Sequence, residues 1–328
     1  MKASGILPAI LLVVAMIAVA EHTGQKEVIF PEIAALALGA WIMKKQPWQS
    51  ANLHFWLSPT LAAFTGVLLF RLFPHAPFFM TIGAFCLVAL QLKLLNSTVL
   101  PSISAAVLPI ITSCESWYYP LSVCLLTGTI AIGRRLMNND GQGHVSTGTG
   151  RVTSALPTAN PWTLPELAHW AKLLAGVIIA TGIAVGLDLL FIVAPPLIVA
   201  FVELSKPRGA LRDKGGKALV LLASAAFAGV FWLQLVHKFL AGPVWLSAAA
   251  STATVFLLFH ALRMPFPPAV ALALLPTILP ESSILSYPWQ VFAGSAAFIA
   301  LSRICLAEGT PLFGRTKEET SLGKSPAD

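Results

Sequence analysis

The stretch Phe30-Pro31-Glu32-Ile33-Ala34-Ala35-Leu36-Ala37-Leu38-Gly39 decides the fold. Only two apolar residues, Val28 and Ile29, precede it. Proline has no N–H and its ring sets φ, so it suits the first turn of a helix. The helix it opens therefore starts within an apolar environment rather than at a surface. The same signature returns as Leu100-Pro101-Ser102-Ile103-Ser104-Ala105-Ala106, Ala194-Pro195-Pro196-Leu197-Ile198-Val199 and Phe266-Pro267-Pro268-Ala269-Val270-Ala271. Four proline-opened apolar helices predict an internally repeated membrane protein with broken helices around a central site.

Composition agrees. Of the 328 residues, 56% are hydrophobic and 11% charged, with a mean hydropathy of +0.79. A soluble domain carries about 25% charge. The fold class predicted is an all-α polytopic membrane protein. The four cysteines (Cys86, Cys114, Cys124, Cys305) have no metal-ligand spacing and read as small hydrophobes, so neither metal nor cofactor is expected. Met1-Lys2, the run Ile6 to Ala20 and its Ala18-Val19-Ala20 end resemble a signal peptide. The repeat pattern instead predicts a retained first helix.

A span needs about 20 mostly apolar residues. Twelve are predicted: 4–20, 27–43, 54–72, 76–95, 97–113, 116–133, 168–186, 189–205, 216–236, 240–261, 265–280 and 285–304. Alternating the loops leaves only Lys26, Arg71 and Lys238 on one side, and the rest of the 21 Lys and Arg on the other. Short cytoplasmic loops hold such cations. The net charge of +7 thus reflects topology, not nucleic-acid binding. A bacterial-type inner (plasma) membrane location with both termini cytoplasmic is predicted. The domains are a six-helix repeat over 1–133, a polar flexible linker over 134–165, a second six-helix repeat over 166–305 and a tail over 306–328.

The two repeats are expected to run parallel. Val28-Ile29-Phe30-Pro31 aligns with Ile192-Val193-Ala194-Pro195, and Pro101, Pro109 and Tyr119-Pro120 align with Pro268, Pro276 and Tyr287-Pro288. Each repeat splits again into an inverted three-plus-three pair. Pro31-Glu32-Ile33-Ala34-Ala35 resembles Pro101-Ser102-Ile103-Ser104-Ala105, three spans later and so upside down. The four helix starts would approach the mid-membrane from opposite faces, as in secondary transporters. Their N–H groups and dipoles would be offered to an anion or polar solute.

Glu32 is the foremost candidate, because an ionisable group at membrane depth is costly and marks function. It reads as a proton-coupling or cation-binding group, or as a cap on its own helix. Ser102 and Ser104 would line a polar route beside Pro101, with Pro31, Pro195, Pro196, Pro267 and Pro268 marking the other ends. Thr60, after Pro59, would face the same cavity. Asp188, Glu115 and Glu281 read as solvated turns, and Glu203 as an interfacial partner of Lys206. His169 and the other span-end histidines read as interfacial. Trp117, Tyr118, Tyr119, Tyr287 and Trp289 read as aromatic belts. No paired carboxylates or nucleophile-base constellation suggests an enzyme.

The run Phe266-Pro267-Pro268-Ala269 with Leu274-Leu275-Pro276 resembles the HPP family of small integral membrane proteins, named for a His-Pro-Pro helix start. Phe30-Pro31-Glu32 and Ala194-Pro195-Pro196 are similar to that family's earlier Phe-Pro-Pro start. Here Phe266 replaces the histidine and Glu32 a proline. The resemblance implies a duplicated, divergent relative and nitrite, hence anion, transport. The function predicted is a transporter of a small solute or anion by alternating access. The rival is a non-transporting scaffold or subunit of a membrane complex. The expected partners are that solute, the lipid bilayer, and a second copy or complex subunit.

Overall fold

A computed structural model of the chain describes residues 3–44, 46–48, 50–139, 162–206 and 211–305. Among them no strand occurs. The helices are α1 (Ile6–Thr23), α2 (Glu32–Ala37), α3 (Asn52–Leu72), α4 (Pro77–Leu94), α5 (Pro101–Ile111), α6 (Tyr118–Asn139), α7 (Leu164–Gly186), α8 (Pro195–Leu204), α9 (Gly215–Trp232), α10 (Val244–Leu262), α11 (Pro267–Leu274) and α12 (Tyr287–Cys305). One helical turn, Glu281–Ile284, precedes α12. Each predicted span holds one of the twelve. Helix α7 starts at Leu164 because Thr163 and Glu166 cap each other's backbone in a capping box. Most of the predicted linker and the tail lie outside the described residues.

Among the described residues six helices are long and apolar enough to cross a membrane: α1, α3, α4, α7, α9 with its π-helical extension to Phe239, and α10. The proline-opened helices are not. Helices α2, α5, α8 and α11 have 6, 11, 10 and 8 residues. Eleven residues rise about 16 Å, roughly half of a bilayer core. Proline sets each start, and the far ends distort. Helix α2 passes into a π-helical stretch, Leu38–Ile42, and α11 into a 3₁₀ turn at Leu275–Thr277.

The short helices are the core. Every residue of α2, α5, α8 and α11 is buried, as expected of helices apolar on all sides. They pack in a closed ring: α2 on α5 and α11, and α8 on the same two. The long helices surround them and turn Leu7, Leu11, Phe64, Phe79, Leu125, Phe231 and Leu257 outward. Helix α1 packs on α10 and α4 on α7, while α3 pairs with α6 and α9 with α12.

Apolar burial drives little association in lipid, so close packing and hydrogen bonds decide which helices meet. Glycines supply the closest approaches. A Cβ on Gly66 would lie 2.1 Å from the Ala106 carbonyl oxygen of α5, and one on Gly229 2.2 Å from that of Ala273 in α11. Two phenols anchor the same short helices. Tyr119 donates to the Ala105 carbonyl at 2.9 Å, and Tyr287 to that of Leu272 at 2.8 Å. These two are therefore not belt residues, since both are buried, unlike Trp117, Tyr118 and Trp289. Their reach into the core lets the hydroxyl find a carbonyl.

Buried charged and polar pairs join distant parts of the chain near the Lys93 end of α4. Lys93 in α4 bonds Glu166 in α7 at 2.9 Å, with side chains only 10% and 1% exposed. Trp48 donates from Nε1 to Glu203 Oε1 at 3.0 Å, and Lys206 holds Oε2 at 2.7 Å. Arg134 reaches Gln46 at 2.8 Å and lies over the Phe55 ring. His169 is buried beside this region rather than interfacial, because α7 packs along α4 there. At the opposite end Glu21 accepts from the Val244 and Trp245 N–H groups at 3.0 and 3.4 Å. That carboxylate satisfies open donors at the α10 start and suits its dipole.

Candidate functional site

The starts of the four short helices meet. One small cavity is lined by Glu32 and Ala35 of α2, Pro101 of α5, Pro196 and Val199 of α8, and Pro267, Pro268 and Ala271 of α11. It encloses about 200 Å³ between atoms, of which about 10 Å³ can hold the centre of a water molecule. That is room for about one water. Glu32 is the only polar residue among the eight that line it.

Glu32 is 1% exposed. Its Oε1 accepts from Ser104 Oγ of α5, and its Oε2 has no partner. A buried carboxylate oxygen without a partner costs free energy and calls for an explanation. Ser102 is fully buried, and its hydroxyl is also unpartnered.

Most of the expected free amides are missing, and the reason is local. In α8 and α11 the first two residues are both proline, which have no N–H. The next amides bond to the carbonyls just ahead, Leu197 to Ala194 at 2.7 Å and Ala269 to Phe266 at 3.0 Å. In α5, Ser102 and Ile103 donate to Val99 and Leu100 at 3.1 and 2.9 Å. In α2, Ile33 and Ala34 donate to Phe30 and Pro31 at 3.0 and 3.3 Å. These starts therefore lend a partial positive potential but few hydrogen bonds to a guest.

Of the ten residues singled out from sequence, Glu32, Pro101, Pro196, Pro267 and Pro268 line the cavity. Ser104 holds Glu32, and Ser102, Pro31 and Pro195 are buried near the same helix starts. Thr60 lies elsewhere. Its hydroxyl donates to the Trp56 carbonyl at 2.9 Å, beside Thr127 of α6. Sequence reasoning missed Ala35, Val199 and Ala271, small or slender residues that follow three of the four proline starts by about one turn. It also missed Trp48, which is 2% exposed and packs so closely on Gly39 that a Cβ there would meet its ring at 2.5 Å.

On the same between-atom measure, two crevices of about 1060 and 1100 Å³ share Lys26, Thr112, Ser113 and Ile278, and a third of about 1590 Å³ is lined by Ile6, Phe256, His260 and Arg263. None includes a residue lining the Glu32 cavity. Among the described residues no group of three or more His, Cys, Asp or Glu is placed to hold a metal. No family model matches the chain, and no curated protein or solved structure matches it either.

Proposed function

We propose that this chain is a membrane transporter that moves a small solute by alternating access past Glu32. One observation carries the reading: a buried carboxylate with a free oxygen sits where four interrupted helices meet. Broken helices converging on a central site are the architecture of secondary transporters. An ionisable residue at such depth marks a solute or ion path.

The repeat reading supports it. Paired features support this reading: Gly66 and Gly229 against short-helix carbonyls, Tyr119 and Tyr287 bonded to the same helices, and the ring in which α2 packs on α11 as α8 packs on α5. In this reading the chain crosses the bilayer as two six-helix repeats, each an inverted pair, with the short helices as half-crossings. The proline pairs favour a neutral or proton-linked solute over a bare anion, since they remove the donors an anion needs.

The test is uptake into proteoliposomes under an imposed pH gradient, with glycerol, glycine and lactate as a neutral, a zwitterionic and a proton-linked probe. The expected result is gradient-dependent uptake of at least one above protein-free liposomes. Glu32→Gln should remove the dependence on the gradient. Uptake by the variant with unchanged gradient dependence contradicts the role of Glu32.

A further inference from the structure

The geometry points to Glu32 as a proton site, not a metal-cation or anion site; this deepens the transport reading by naming the ion. A metal cation such as sodium or calcium needs about six oxygen ligands. The cavity is bounded by helix starts, and the carbonyls of a helix point toward its other end. Ligand oxygens would therefore have to come from side chains. Among the eight lining residues only Glu32 carries one, and Ser104 adds a hydroxyl already bonded to it. An anion fares no better, because Pro101, Pro196, Pro267 and Pro268 present no N–H.

What remains is a carboxyl with one occupied and one open oxygen, in a space for about one water. Such a group can take a proton on Oε2, lose it again, and need no coordination shell. The surroundings hold few competing charges. Helices α5 and α11 have no titratable residue. Helix α6 presents Tyr119 and α12 presents Tyr287, and both phenols lie within electrostatic reach of Glu32 while bonded to carbonyls. On α1, Met16 bonds the Phe30 amide, and the acid of that helix, Glu21, caps α10. The acid of α8, Glu203, is held by Trp48 and Lys206.

Infrared difference spectroscopy of the purified full chain in lipid, titrated with acid and base, tests this without any solute. Loss of transport and loss of protonation are thereby read separately. The expected result is a carboxyl C=O band that grows on acidification, is absent in Glu32→Gln, and does not respond to sodium or potassium at fixed pH. Ser104→Ala should keep the band but shift its frequency, which covers the case of a Glu32 variant that fails to fold. Identical difference spectra for the parent, Glu32→Gln and Ser104→Ala, or a band erased by sodium at constant pH, overturn the proposal.

Discussion

Alanine at Gly66 or Gly229 is expected to cost about 3 kcal/mol or more and to remove much of the folded protein from the membrane. The added Cβ would stand 2.1 or 2.2 Å from a backbone carbonyl oxygen of a short helix. No rotamer relieves a clash between backbones, so α3 must move off α5, or α9 off α11. Either shift opens the ring at whose centre Glu32 sits. Gly83 is the control. Nothing lies within 4 Å of a Cβ built there, and glycine within a helix is worse than alanine by about 0.5–1 kcal/mol. Gly83→Ala should therefore be neutral or slightly stabilising. Thermal unfolding of the three variants in detergent reads the difference. Equal midpoints for Gly66→Ala and Gly83→Ala would mean that the two backbones do not touch.

The second large effect is at the buried bond between α4 and α7. Lys93→Met leaves the Glu166 carboxylate buried without its 2.9 Å partner. Removing one member of a buried pair costs about 3–5 kcal/mol, because the remaining charge stays desolvated. Lys93 also lies over the Trp162 ring at 5.2 Å, and the methionine keeps much of that apolar contact. Adding Glu166→Gln removes the stranded charge and should recover most of the loss, since the amide can still take part in the cap with Thr163. The readout is the unfolding midpoint of the single and double variants. A double variant as unstable as Lys93→Met alone would show that the effect comes from packing rather than from the charge.

Much of this arrangement was legible in the residues. Proline fixes φ wherever it stands, so the four helix starts at Pro31, Pro101, Pro195 and Pro267 could be read directly. Glu32 stood out because a carboxylate is rare in such a setting. The absence of donors was equally readable, since Pro195-Pro196 and Pro267-Pro268 carry no N–H. Helix lengths were not readable. Apolar runs continue through the π-helical and 3₁₀ distortions that end α2 and α11, so four half-length helices looked like full spans. Tyr119 and Tyr287 sit at span ends, where a belt and a buried anchor look alike until the partner carbonyl is known. Lys93 and Glu166 lie 73 positions apart, and neither residue carries a local signature of the other. Thr60 followed a proline like the other starts, but Pro59 lies inside α3 and begins nothing.

The central claim is that the cavity at Glu32 opens in turn to the two sides of the membrane. Its most direct test is a single cysteine at Ala35, with Cys86, Cys114, Cys124 and Cys305 replaced, probed by a membrane-impermeant maleimide from each side in turn. The account predicts labelling from both sides, with Trp48→Ala speeding it from the cation-rich side and slowing it from the other. A cysteine at Ala35 that reacts fully once unfolded, but from neither side in the folded protein with or without Trp48, would contradict the account.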